Sequence, residues 1–129
     1  MSQEILIDTE RIDAIGGMEN PVVVEILERF VADLPERRGQ LEAAVAQEDG
    51  VELLAILHRL KGAARTCGFE GLARAAADWM SAGGTVGSPL HASLVDAMIA
   101  SIHEWGKLSG SFEEAGPAVP VMDAGKSED

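Results

Sequence analysis

Apolar residues recur along the chain at steps of three and four, the period of a helix with one buried face. No segment alternates in the manner of a strand, so we predict five helices and no sheet. The predicted helices cover about 9–15, a long stretch that begins at Asn20-Pro21, about 50–67, about 69–82, and a last stretch from Ser88-Pro89 to near Gly110. Asp8, Asn20 and Asp49 are the expected N-caps, and Asp49 with Glu52 resembles a capping box.

Each long helix has one apolar stripe that is predicted to face the core. The stripes are Val24, Leu27, Val31, Leu34, Leu41 and Val45 in the second helix, Leu53, Leu57, Leu60, Ala64 and Cys67 in the third, Leu72, Ala76 and Trp79 in the fourth, and Leu90, Leu94, Met98, Ile102 and Trp105 in the fifth. Pro35 interrupts the second stripe, but the stripe resumes in phase after it. We therefore expect a kink at Pro35 and not a helix end.

Four substantial amphipathic helices with short links predict an all-α fold, an antiparallel up-down four-helix bundle with a short additional N-terminal helix as a lid. The bundle is expected over residues 1–110. The segment 111–129 is acidic, contains two prolines and shows no periodicity, so we expect a disordered, flexible tail there.

Composition narrows the classes of partner. The formal net charge of −12 over 129 residues disfavours nucleic acid and anionic lipid as partners. The single cysteine fits a reducing compartment, and neither a signal peptide nor an apolar run of spanning length is evident, so we expect a soluble cytoplasmic protein. No metal site or cofactor is predicted for the chain, because His58 has no histidine or cysteine three or four residues away and no glycine-rich phosphate loop follows a strand.

His58 is the residue with the clearest chemical signal. With the core stripe of the third helix at 0°, His58 lies about 140° away and Gly62 about 180° away, so the imidazole should project outward. An imidazole is largely neutral at pH 7 and can then act as a nucleophile. A side chain at position 62 would lean over His58, and Gly62 removes that obstacle. Lys61 can supply a cation to a phosphoryl group on the ring, and Arg65 extends the positive field.

The surroundings of His58 are basic although the chain is acidic. Four cations, Arg59, Lys61, Arg65 and Arg74, lie between Leu53 and Ala77, with only Glu52 and Glu70 to offset them. Such an asymmetry favours docking onto an acidic partner and would steer association with it.

The stretch from Leu53 to Phe69 resembles the signature of histidine phosphotransfer (HPt) domains, which is His-x-x-Lys-Gly with a further glycine six residues after the first. His58, Lys61, Gly62 and Gly68 match this signature. The resemblance covers roughly residues 8–110 and implies a helical bundle that carries phosphoryl groups in two-component phosphorelays. The chain departs from the family pattern at Met80, where a polar residue on the facing helix is common, and at Ala63, where serine is common.

The resemblance implies a role for each residue of the signature face. His58 would be phosphorylated, Lys61 would contact the phosphoryl oxygens, and Gly62 would let a receiver domain approach. Together with Leu54 and the cations Arg59 and Arg65, Gly62 would form the docking surface for receiver domains of response regulators or hybrid histidine kinases. The only metal expected in the reaction is the Mg²⁺ of the partner receiver.

Three functional hypotheses follow. In the first, a monomeric phosphorelay intermediate accepts a phosphoryl group on His58 from a receiver aspartate and passes it to another receiver; it is a covalent carrier and not an enzyme. In the second, the chain is a docking module that binds a receiver or a kinase without being phosphorylated. In the third, the catalytic domain of a separate kinase phosphorylates the chain directly.

Overall fold

The computed structural model describes residues 6–110, which fold into five helices. They are α1 (Thr9–Ala14), α2 (Pro21–Ala46), α3 (Gly50–Thr66), α4 (Glu70–Ser81) and α5 (Leu90–Ser109). The four long helices pack in a ring, with contacts between α2 and α3, α3 and α4, α4 and α5, and α5 and α2. The all-helical bundle with a short first helix is therefore confirmed for these residues. The predicted tail and the domain boundary at 110 concern 111–129, which lie outside the described residues.

The first three helices begin where the sequence predicts because short polar side chains satisfy amide groups of their first turns. The carboxylate of Asp8 accepts hydrogen bonds from the N–H groups of Glu10 and Arg11, and the side chain of Asn20 accepts one from the N–H of Val22. Asp49 caps α3 by accepting from the N–H of Glu52 at 3.1 Å. The reciprocal half of the expected capping box is not formed, since the N–H of Asp49 donates to the carbonyl of Ala44.

The long helix α2 continues through Pro35, as predicted. Its buried face is rotated from the predicted stripe. Buried positions are Val23, Leu27, Phe30, Leu34, Leu41 and Ala44, while Val24, Val31 and Val45 are half-buried against the edge of the core. The valines in the predicted stripe therefore flank the buried face of α2.

One predicted core position in α5 is wrong. Ile102 is 39% exposed, and the neighbouring Ser101 is fully buried in its place. Ser101 can be buried because its hydroxyl donates to the carbonyl of Ala97 at 2.7 Å, which satisfies the polar group within its own helix.

The turn after α3 fastens the N-terminal segment to the bundle. Gly68 has φ +83°, and its carbonyl accepts a hydrogen bond from the N–H of Asp8 at 2.6 Å. A Cβ at Gly68 would lie 3.0 Å from the carbonyl oxygen of Asp8 and 3.1 Å from Ile12. Both the backbone conformation and the close approach of α1 therefore favour glycine at the last position of the signature.

Candidate functional site

His58 lies in the middle of α3 with its side chain exposed, as the helical geometry predicts. Leu57 and Leu60 beside it are buried, so the core lies on the opposite side of the helix. Within residues 6–110, the side chain of His58 takes part in no hydrogen bond or ion pair. The imidazole is thus available to a partner molecule.

Gly62, one turn after His58, faces open space. Apart from its own stretch of helix, a Cβ built at this position meets no atom of residues 6–110 within 4 Å. Close packing against another helix therefore does not explain a glycine in the interior of α3, where it costs about 1 kcal/mol relative to alanine. The open space lies on the same side of the helix as His58, since the two residues are four apart.

The cations near His58 differ in their surroundings. Lys61 is half-buried and forms no ion pair within the described part of the chain. Arg65 lies 3.8 Å from Glu70, and Arg59 lies 3.8 Å from Glu52, and all four side chains are substantially exposed. Such long surface pairs hold their partners weakly, so both guanidinium groups can turn to an incoming anion.

Arg74, which the sequence groups with this basic region, belongs to another surface. It lines a groove of about 240 Å³ between α4 and α5, together with Asp78, Leu90 and Ser93. The cations that share α3 with His58 are therefore Arg59, Lys61 and Arg65.

An apolar region precedes His58 on the same helix. Leu54, one turn before, is 38% exposed, and Val51, two turns before, is 83% exposed. A spacing of seven residues places Val51 within about 20° of His58 around the helix. This spacing is visible in the sequence, although only Leu54 is among the predicted docking residues. The site is thus apolar on the N-terminal side of His58 and cationic on the C-terminal side.

The two departures from the family signature are packed against the bundle. Met80 and Ala63 are half-buried, and both contact the core. A thioether and a methyl group can fill space there, but neither can orient an imidazole through a strong hydrogen bond.

Residues 6–110 offer little support for a metal site, a reactive thiol or a membrane-spanning helix. No group of three His, Cys, Asp or Glu residues there is arranged to hold a metal ion. Cys67, at the end of α3, is buried, and this burial raises the pKa of its thiol, with the charge of Arg37 acting in the opposite direction. None of the helices in 6–110 is long and apolar enough to cross a membrane.

In the described part of the chain, a helical bundle presents an exposed histidine that has no side-chain partner there, close in sequence to a lysine and to a glycine that faces open space. This arrangement defines a class of protein suited to carrying a group on the imidazole. The model of the Hpt domain family matches residues 25–105. The chain therefore belongs to the Hpt domain family, whose members are phosphotransfer carriers and not kinases. Membership implies a general role in phosphorelays and interaction with receiver domains or histidine kinases of two-component systems.

A solved structure shares this fold. It is the Hpt domain of the Hpt sensor hybrid histidine kinase from Shewanella, with a TM-score of 0.60 and 24% sequence identity. The match covers 68% of this chain and 80% of the Shewanella domain. No curated protein matches the chain significantly.

Proposed function

We propose that the protein is a phosphorelay intermediate that accepts a phosphoryl group on His58 from the aspartate of one receiver domain and passes it to another. The observation that carries this proposal is the exposed side chain of His58, which has no partner among residues 6–110 and lies one turn from a glycine that faces open space. We further propose that it acts as a monomer in the cytoplasm.

The proposed step is an in-line displacement at phosphorus. A neutral ring nitrogen of His58 attacks the receiver's aspartyl phosphate, an N–P bond forms, and the bond from phosphorus to the aspartate oxygen breaks. The aspartate leaves as a carboxylate. Phosphoryl transfer depends mainly on positioning and on charge stabilisation, which the receiver and its Mg²⁺ would supply in large part. The reverse attack by a second receiver's aspartate returns the imidazole to its free form.

The chain's own residues would assist on the two sides of His58. The ammonium group of Lys61, three residues away, would stabilise the phosphoryl oxygens on the imidazole. Arg65 would draw the acidic pocket of the receiver towards the C-terminal half of α3, and Arg59 would extend this field. Leu54 would give the receiver an apolar contact, and Gly62 would leave room for its approach.

The test is phosphotransfer from receiver domains that have been phosphorylated with acetyl phosphate. The wild-type chain should acquire phosphate that is labile in acid and stable in base, as expected of phosphohistidine; an acyl phosphate, by contrast, is hydrolysed in base. His58→Ala should acquire none while its helical circular dichroism is unchanged, because the side chain makes no contact that the fold needs. His103→Ala, which removes another exposed histidine, is the matched control and should be labelled normally. Acid-labile phosphate on His58→Ala would refute the assignment.

The docking module is the second candidate, and the apolar Met80 favours it because the thioether offers the ring no strong hydrogen bond. A receiver that binds the wild-type chain in calorimetry without transferring phosphate would select this function. Direct phosphorylation is tested with ATP and a histidine kinase catalytic domain that lacks a receiver; labelling of His58 under those conditions would select the third hypothesis.

A further inference from the structure

The loop between α4 and α5 is held to the bundle by Trp79. The indole is fully buried, and its N–H donates to the carbonyl of Thr85 at 3.0 Å. The backbone N–H of Gly84 donates to the carbonyl of Trp79 at 2.8 Å. Two hydrogen bonds to one buried residue fix the position of this loop relative to the core.

Gly84 in this loop lies directly against Leu54 of α3. Gly84 is buried and has φ +60°. A Cβ at this position would lie 2.5 Å from Cδ2 of Leu54 and 2.9 Å from Cγ, distances that real side chains do not tolerate. The side chain of Leu54 therefore occupies the space that a side chain at position 84 would need.

We propose that Gly84 is a positioning residue for receiver docking: by leaving room for Leu54, it sets how far this side chain projects from the face of α3 beside His58. The inference rests on the proposed function, since it makes the α4–α5 loop a determinant of the same docking surface. It assigns a role to a residue thirty positions away from Leu54 in the chain.

The physical consequence is a change in surface shape without a change in chemistry. An alanine at 84 displaces Leu54, whose exposed fraction of 38% shows that its free side is towards solvent. The side chain then projects one turn before His58, where a rigid receiver surface must fit. We expect the receiver's half-saturation concentration to rise about tenfold, which corresponds to about 1.4 kcal/mol. The maximal transfer rate should be unchanged, because neither His58 nor Lys61 is altered.

The experiment compares five full-length chains: the wild type, Gly84→Ala, Gly87→Ala, Leu54→Ala and the double variant Gly84→Ala/Leu54→Ala. Gly87 is the matched control, since its φ is +87° but a Cβ there meets nothing within 4 Å. It reports the cost of an alanine with positive φ in this loop without the contact to Leu54. The probe is the phosphorylated receiver domain that labels the wild-type chain fastest, and transfer is followed in single turnovers over a range of receiver concentrations.

The expected result is a raised half-saturation concentration for Gly84→Ala alone, with Gly87→Ala close to the wild type. In the Leu54→Ala background the added Cβ has space, so Gly84→Ala should then have no further effect. Equal behaviour of Gly84→Ala and Gly87→Ala, or a full effect of Gly84→Ala without Leu54, would overturn the inference.

The experiment also distinguishes a failure of the proposed carrier function from a failure of the role proposed for Gly84. If the wild-type chain takes up no phosphate, the carrier role is wrong, while the dissociation constants of the same five chains for a bound receiver, measured by calorimetry, still decide the role of Gly84. A panel in which no receiver binds the wild-type chain would overturn both.

Discussion

Replacing Gly62 should make the protein more stable and a poorer phosphate acceptor. Gly62 lies in the interior of α3, and a side chain there meets no atom within 4 Å, so the fold accommodates one without rearrangement. Glycine is less favourable than alanine in a helix interior by about 0.8–1 kcal/mol, and glutamine is a good helix former. We therefore expect Gly62→Ala to raise the free energy of unfolding by about 0.8 kcal/mol, and Gly62→Gln by about 0.5 kcal/mol. For a domain of this size the melting temperature should rise by about 2–5 °C.

Transfer should respond in the opposite direction and according to side-chain length. Side chains of a helix lean towards its N-terminus, so a residue at 62 leans over the turn that carries His58. Alanine adds one methyl group at the edge of the approach path, while glutamine extends well beyond it. We expect Gly62→Gln to slow transfer from a phosphorylated receiver at least about tenfold, or about 1.4 kcal/mol in activation free energy, and Gly62→Ala to slow it less.

The assay combines urea unfolding with single-turnover phosphotransfer, and Gly39→Ala is its control. Gly39 also lies inside a helix and is exposed, and a Cβ added there meets no atom within 4 Å. Gly39→Ala should thus give a similar gain in stability with normal transfer. Wild-type transfer rates for Gly62→Gln would refute steric clearance as the reason for this glycine. A loss of stability in Gly62→Ala would show that the space around it is not free.

Three further substitutions test the fold around the site by urea unfolding. Glu48 directly follows Gln47, the C-cap of α2, and has φ 55°, a conformation that favours glycine. Glu48→Gly should therefore raise the free energy of unfolding by about 1 kcal/mol, and a lower value would contradict the assigned turn. Gly68→Ala should lower it by about 2 kcal/mol, because φ is +83° and the carbonyl of Asp8 lies 3.0 Å from the new Cβ; an unchanged value would refute the tight junction with α1. Burial raises the pKa of the Cys67 thiol above its ordinary 9.0, so the folded state favours the neutral thiol. The stability that the neutral thiol contributes at neutral pH should therefore be lost as the pH rises through the raised pKa. Cys67→Ala should remove this part of the alkaline loss, and an identical pH profile would exclude the thiol as its source.

Helical periodicity and capping residues were sufficient to predict the helices and their order. The caps at Asp8, Asn20 and Asp49 act within two or three residues of themselves, so their partners can be identified in the sequence. The end of α2 could not be predicted in this way, since Glu48 takes a backbone conformation that its side chain does not favour.

Contacts between distant segments were beyond sequence reasoning. His91 is half-buried, stacks on Trp79 at 5.2 Å between ring centroids, and lies 3.0 Å from a carboxylate oxygen of Glu42. Nothing local to His91 indicates either partner, because they lie on α4 and α2. The contact between Gly84 and Leu54 was equally invisible in the sequence, because it forms only when the α4–α5 loop packs against α3.

The face of α3 around His58 contains several features that the fold alone does not require. An exposed apolar side chain taken singly needs no explanation, but Val51 at 83% exposure lies in line with His58, and Leu54 lies beside it. Gly62 lowers helix stability where no neighbour demands a glycine. Positions that break local rules without a structural gain are expected where a protein meets something outside itself. These features share one helix face with an imidazole that has no side-chain partner among residues 6–110. We therefore propose one common explanation for them, a partner surface that approaches His58 closely and covers this face when it binds.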